Sequence, residues 1–578
     1  MSTNLVFDEE VCLMKMHTKS SKEIYHTKLA DTDVHTIKDS SAYAANLILS
    51  EKNYELGQKI FQKVVSLQDS NPDSETYGLW PYYMEEPLEE MDAPDFNMAG
   101  FNAKEMIVTI LKAGECLNDA TKAVMYKGIE RACRSIIKRN VSVGYTNVCI
   151  ADSFITVAAG EMLGLEELIE YGKKKLKGLY FYTKTHGDIL EYNSPCYSPL
   201  AINDVSDFLE YVKDEETLDY AKKVNKIFWS MMAQHFDYET LQLNGPQERA
   251  YSDFLAIWVL RIFGRGTGVD YTKHPKFKQY YSEEEKEEYL RETRANPKCP
   301  EELIPYFKGE KKFTMVQGLV SDGFNYPYFE YARVATTYKS DNYAIGTMNR
   351  SEFWNQRRPI LGYIYRKDKD TCFRVKCLHD GYDFSSGAFH CVQYKSDILA
   401  SINLSEKRGD THINLDMLKD TIVSAEDLRI VFEFSGNIEN ITYDDENDGV
   451  VFDIDGKKLR IVPFICEFGD VKIKKNIEII NDKIQYSLVW YQGERKDIDI
   501  SAFEKAMAAF TIEFMPDNEY VQPLYKENGD HIDILWKQNE KELGLKAPKR
   551  TLTYERNMYE DKQTIDGVDI VKTAADKL

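Results

Sequence analysis

Residues 390–404 read HCVQYKSDILASINL, a run of aromatic and aliphatic residues whose apolar members recur with period two. That spacing puts alternate side chains on one face of a strand and so marks β-structure with a buried side. Similar runs surround it: KFTMVQGLV (312–320), ARVATTYKS (332–340), NYAIGTM (342–348), PILGYIYR (359–366), CFRVKCL (372–378), LRIVFEF (428–434), KLRIVPFICEFG (458–469) and KIQYSLVWYQ (483–492). Turn signals such as ENDG, DIDGKK and INDK separate several of them, the pattern of an antiparallel sandwich.

Toward the N-terminus the period changes to that of a helix. AYAANLILSEKNYELGQKIFQKVVSLQ (42–68), TKAVMYKGIERACRSIIKRN (121–140), LEELIEYGKKKLKGLYFYT (165–183), DEETLDYAKKVNKIFWSMMAQHF (214–236) and SDFLAIWVLRIFG (252–264) are amphipathic and joined by short loops. Ala158, Ala159 and Gly160 stand together in a further helix, where they let a neighbour approach closely. The charged stretch 274–309, with Pro at both ends, reads as a solvated helix and linker. Helices first and antiparallel strands second is a segregated arrangement. The expected class is therefore an N-terminal α/α toroid over residues 1–305, followed by a C-terminal antiparallel β-sandwich over 306–578 with a charged tail.

The chain has 578 residues, more than one hydrophobic core holds, with 43% hydrophobic and 29% charged content typical of globular proteins. A net charge of −22 repels nucleic acid and anionic membrane, so neither is expected as a partner. Any acidic ligand would be held by local Arg or Lys. No signal peptide is read at MSTNLVFDEEVCLMKMHTKS and no apolar run spans a bilayer, so a cytoplasmic location is expected. The ten cysteines form no CxxC pair and are read as free thiols. No nucleotide, zinc-protease or serine-hydrolase signature is present, and no cofactor or metal is expected. The 38 Tyr, 28 Phe and 6 Trp suit sugar binding, because rings stack on C–H faces and phenols bond to hydroxyls, although sheets also favour Tyr.

Polar and aromatic clusters sit at the mouths of helices. In residues 78–106, Trp80, Tyr82 and Tyr83 lead into Asp95, Asn97 and Asn102, a sugar platform or a packed loop. Asn147 lies in GYTNVCIADSF (144–154), with capping as its plainer reading. HGDILEYNSPCYSPLAINDVSDF (186–208) is the most specific cluster, gathering His186, Glu191, Tyr192, Asn193 and Tyr197 in a Pro-marked loop. LNGPQERAYSDF (243–254) brings Asn244, Glu248, Arg249 and Tyr251 before another helix. In the β half, residues 340–359 hold Arg350, Trp354, Arg357 and Arg358, and residues 377–397 hold His379, Asp383 and His390. A strand His is more often structural than catalytic, but it titrates near neutrality and can act as a base.

EYNSPCYSPLAI (191–202), NGPQERAYSDF (244–254), SDNYAIG (340–346) and FWNQRRP (353–359) resemble stretches of the heparinase II/III-like proteins, which share the toroid-plus-sandwich architecture with other polysaccharide lyases. The resemblance covers roughly residues 75–400. It implies β-elimination at a uronic acid of an oligo- or polysaccharide substrate: the C5 carboxylate is neutralised, a Tyr or His removes the C5 proton, and a Tyr protonates the leaving oxygen. Carried over by motif, Asn147 neutralises the carboxylate, Tyr251 or Tyr197 is the acid/base, and His390 with Arg249 or Arg350 assists. Trp80, Tyr83, Asn193, Glu248, Arg350 and Trp354 are the substrate-binding candidates. Val148 follows Asn147 where characterised heparinases show His. Two rivals stand beside the lyase. One is a toroid glycoside hydrolase using a carboxyl pair from Asp152, Asp204, Asp207, Glu248 and Asp253. The other is a carbohydrate-binding protein without catalysis.

Overall fold

In the computed structural model the chain is described at residues 5–18, 26–291, 295–321, 332–352, 356–406, 418, 420–446 and 449–577. Its compact units are residues 1–181 with 203–225, and residues 182–202 with 226–578. Helices give way to strands between the helix Ile304–Phe307 and the strand Met315–Val320. Residues 226–305, expected with the helices, instead pack in the second unit.

The first unit opens on a three-stranded antiparallel sheet (Val6–Asp8, Leu13–His17, Asp33–Thr36) and continues as helices. Ile37–Leu49, Tyr54–Ser66, Asn97–Ala113, Asp119–Arg139 and Thr146–Leu163 pack on their neighbours in the chain. Side chains at N-caps fix their starts: Asn53 Oδ1 accepts from the Leu56 N–H, and Asn118 Oδ1 accepts from the Thr121 N–H. The helix Thr146–Leu163 is buried from Val148 to Gly160 on almost every face, so it is a core helix and not an amphipathic one. The small residues near its end serve the close approach expected of them. A Cβ on Gly160 would lie 2.6 Å from the Ile169 side chain on the next helix.

The second unit carries the sheets. A nine-stranded sheet runs Lys474–Ile480, Lys483–Asp499, Ile422–Gly436, Thr371–His379, Ile360–Ile364, Tyr343–Met348, Arg333–Lys339 and Met315–Val320, with Tyr382–Asp383 attached to Thr371–His379. A seven-stranded sheet runs Gly387–Tyr394, Asp397–Glu406, Ala506–Phe514, Lys457–Phe468, Gly449–Ile454 and Ile441–Glu446, with the short Leu552–Thr553 joined to Asp397–Glu406. Their inward residues share one core: Phe373, Val375 and Cys377 from one sheet meet Phe389, Cys391, Ile398 and Phe510 from the other. The period-two reading thus chose the correct faces, and the two sheets form the expected sandwich. A five-stranded sheet (Leu524–Asn528, His531–Lys537, Glu542–Pro548, Lys562–Ile565, Val568–Asp569) packs through Ile532, Trp536, Leu543 and Leu545 onto Val392, Leu399 and Met507.

Residues 226–310 join this unit through contacts such as the Phe254 ring, 6.0 Å from that of Tyr363, and Tyr365 Oη donating to Asp237 Oδ2 (2.6 Å). Trp229, Phe236, Phe263 and Phe307 form one cluster, with Phe236 stacked on Phe307 at 5.4 Å. No described helix is long and apolar enough to cross a membrane.

Candidate active site

The loops 191–197 and 244–251, which the sequence singled out, are stitched to each other in the second unit. Asn193 adopts left-handed backbone (φ 47°) and is fully buried, and its Nδ2 donates to Asn244 O (2.8 Å) and Pro246 O (3.1 Å). Glu248 N donates to Tyr192 O (3.0 Å), and Ser194 Oγ donates to Arg249 O (3.2 Å). The second loop is also zipped to the β domain, with Gln247 and Arg358 exchanging backbone hydrogen bonds and Ala250 N donating to Gln356 O. Asn193 is therefore a clamp between loops. Its side chain has no surface to offer a substrate, which corrects its reading as a sugar contact.

The clamp sets three side chains together at the surface. Tyr197 Oη and Tyr251 Oη lie 2.7 Å apart, with the rings edge to face at 6.2 Å. Arg249, itself in left-handed backbone (φ 57°), donates from Nη2 to Tyr197 Oη at 3.1 Å and lies over the Tyr197 ring. Tyr251 is 55% exposed. Burial pushes the Tyr197 hydroxyl up, with the Arg249 charge pulling the other way. The Tyr197 oxygen accepts from Arg249, and either phenol can donate in the hydrogen bond between Tyr197 and Tyr251. A guanidinium and two phenols thus form one contact chain that reaches the exposed Tyr251.

Behind the tyrosines stands a carboxyl pair. Glu248 is 3% exposed, accepts a hydrogen bond from Arg333 Nη1, and is hydrogen-bonded to Glu352, whose side chain is 40% exposed. Two carboxylates both accept, so a hydrogen bond between them needs one proton. Glu248 keeps it: burial first, then the Glu352 charge, hold its pKa far above the usual carboxylate range against Arg333. Partial desolvation pulls Glu352 up, but the hydrogen bond from Glu248 and the charges of Arg333, Arg249 and Arg357 bring it below its ordinary value. Three guanidinium groups therefore surround a pair bearing one negative charge. Arg333 and Glu352 carried no motif signal. The one clue was an Arg inside the apolar strand 332–340, which demands a buried partner.

Asn147 stands in the first turn of Thr146–Leu163 in the helical unit, and its buried Oδ1 has no hydrogen-bond partner. Trp80 and Tyr83 are in that unit too. Trp80 is fully buried with Nε1 donating to Val64 O (2.8 Å), and Tyr83 is 4% exposed, so neither ring can stack on a sugar. Aromatics before a helix here serve as packing, the plainer of their two readings.

His390 and Arg350 pair across an isolated bridge deep in the sandwich. His390 is 2% exposed, with Nδ1 2.8 Å from Asp561 Oδ2 and Nε2 3.0 Å from Asn403 Oδ1. Asn403 Nδ2 donates to three other oxygens, so its Oδ1 must accept, and both His390 nitrogens face acceptors. Arg350 Nε donates to Asp561 Oδ1 (2.6 Å), and its Nη1 to Ala332 O. This closed network removes both residues from catalysis and from substrate contact. Trp354 lies outside the described residues.

Of the carboxylates proposed for a hydrolase, Asp253 is held by Arg374 (2.8 Å), Ser435 (2.8 Å) and Lys483 (3.3 Å). Asp204 and Asp207 are both ion-paired to Lys104, the latter at 2.7 Å. No group of three or more metal-ligating side chains occurs among the described residues.

Residues 5–267 match the model of a family described as a domain of unknown function, DUF8769. No curated protein matches the sequence. Among solved structures, the chain is similar to Streptomyces coelicolor A3 chondroitin AC lyase in complex with chondroitin sulphate, at 6% identity and TM-score 0.45, over 89% of this chain and 84% of that one. It is also similar to a mutant heparan sulfate lyase from Pedobacter heparinus (8% identity, TM-score 0.35, 88% and 82% covered). A third such structure is a heparinase III (10% identity, TM-score 0.35, 92% and 93% covered).

Proposed function

We propose that this chain is a carbohydrate-active lyase that cleaves a uronic-acid-containing oligo- or polysaccharide by β-elimination, with Tyr251 as the base. The observation that carries the reading is the contact chain Arg249–Tyr197–Tyr251, which ends on an exposed phenol. A phenolic oxygen exposed to a sugar ring and in contact with a second phenol and a guanidinium is placed for proton transfer. The Tyr251 oxygen takes the C5 proton, the C5–H electrons form the C4–C5 double bond, and the C4–O bond breaks. The leaving oxygen then receives the proton from the same tyrosine. The guanidinium-rich surroundings suit an anionic sugar, whose carboxylate must be neutralised for C5 to lose its proton.

The hydrolase alternative needs two carboxyls about 5 Å or about 6.5–9.5 Å apart with a glycosidic bond between them. Glu248 and Glu352 are in hydrogen-bond contact and leave no such room. Asp253 is enclosed by cations. The test is absorbance from the conjugated double bond, followed beside a reducing-end assay on uronate oligosaccharides. We expect absorbance to rise in the wild type and to slow by about 10²–10⁴-fold in Tyr251→Phe, the range for loss of a general base. Reducing ends without absorbance would refute elimination.

A further inference from the structure

We infer that the sandwich carries a second ligand site, built to hold one neutral sugar ring, where the seven-stranded sheet meets the five-stranded one. A cavity of about 490 Å³ opens there, within the range that small-molecule sites occupy. Three chain turns form it. The first joins Gly387–Tyr394 to Asp397–Glu406, the second leaves Ala506–Phe514, and the third joins His531–Lys537 to Glu542–Pro548. All three rest on packed sheet, so the lining is held in place.

The lining alternates acceptors and amides. Asp397, 7% exposed, takes both of its carboxylate oxygens to Asn539 Nδ2 (3.0 and 2.8 Å), and Ser396 Oγ donates to Oδ1 (3.2 Å). Asn518 Nδ2 donates to Asn539 Oδ1 (2.9 Å), so both asparagines are oriented, and Gln538 anchors the wall through Val521 N and Glu519 O. A carboxylate accepts up to about four hydrogen bonds, so Asp397 retains capacity for a hydroxyl donor. Vicinal hydroxyls of a sugar donate and accept at neighbouring positions, which matches a carboxylate beside amides. Tyr394, half-buried against the core between the sheets, adds a ring at the rim.

Charge selects against the anionic substrate proposed for the Tyr251 site. Asp397, Asp517 and Glu540 line the cavity, and its lysine, Lys395, is bound to both Glu540 oxygens at 3.0 Å. A uronate would meet uncompensated carboxylates, whereas a neutral ring would not.

Saturation-transfer NMR on the full chain, with glucose, galactose, mannose, N-acetylglucosamine and glucuronate as probes, tests this. At least one neutral sugar should bind, unaltered by Tyr251→Phe and weakened tenfold or more by Asn518→Ala and by Asp397→Asn. Asn518 is exposed, so its variant leaves the fold intact even where Asp397→Asn does not. The inference fails if no neutral sugar binds with Kd below about 10 mM. It fails equally if binding survives Asn518→Ala unchanged, or if glucuronate binds there as well as the neutral sugars do.

Discussion

Replacing Asp152 by Asn should stabilise the protein, and more at pH 8 than at pH 5. Asp152 is 5% exposed on the core helix Thr146–Leu163, facing Gly100, where an added Cβ would lie 3.2 Å from its Oδ1. The nearby cations are committed elsewhere: Lys175 donates to Val141 O and Arg139 to Asn97 Oδ1. Burial therefore pushes the carboxyl from 3.8 up to about 7, with Arg139 and Lys175 opposing and Asp204 assisting. Below pH 3.8 the folded and unfolded forms are both protonated and no penalty exists. Between 3.8 and about 7 the unfolded carboxyl ionises while the folded one resists, so stability falls by about 1.4 kcal/mol per pH unit. Above pH 7 the penalty levels off at about 4 kcal/mol, against about 1.6 kcal/mol at pH 5. Asn carries no charge and pays neither. Urea unfolding of both proteins, followed by helical circular dichroism at the two pH values, should show the stability gain growing by about 3 kcal/mol. Any constant effect of the amide cancels in that difference. A gain that stays flat with pH would refute the claim that Asp152 is forced to hold its proton.

Other substitutions test the site and its surroundings. Glu248→Gln imitates the protonated acid and should leave stability within about 1 kcal/mol, whereas Glu248→Ala removes the buried hydrogen bonds to Arg333 and Glu352 and should cost about 1–3 kcal/mol by denaturant titration. His390→Ala should likewise destabilise by about 3 kcal/mol or more, because it strips a hydrogen-bonded partner from buried Asp561. Turnover per folded molecule should hold within about twofold, since His390 does not reach the tyrosines; a drop on the scale of a lost general base would return it to the mechanism.

The fold was legible because burial follows local period. Phe373, Val375 and Cys377 alternate inward as CFRVKCL predicts, and Asn53 and Asn118 cap the helices they precede. Tyr197, Arg249 and Tyr251 were also legible, as polar and aromatic residues crowded into Pro-marked loops where a strand or helix has no use for them. What local pattern could not carry was the identity of distant partners. Trp80 looks like a stacking surface until Val64 O is found to hold its indole. His390 looks like a base until Asp561, 171 residues later, is found to close it. Glu352, in the segment after the strand Tyr343–Met348, completes the carboxyl pair and Arg333 binds it, and neither stretch of sequence names Glu248.

The Asp561 network also bears on the order in which the chain can be finished as it is made. Arg350 leaves the ribosome 211 residues before the carboxylate that neutralises it. At roughly 5–20 residues per second that interval is about 10–40 s. Throughout it, Arg350, just beyond the strand Tyr343–Met348, and His390, on Gly387–Tyr394, are both without the carboxylate that binds them. Sealing them inside a closed core would strand their charge and polarity out of water, so the nascent sandwich has reason to stay ajar. Arrival of Asp561 is then the latch on a domain whose other strands are already available, and translation rate, as much as sequence, sets how long the inner faces of those strands remain open to chaperones.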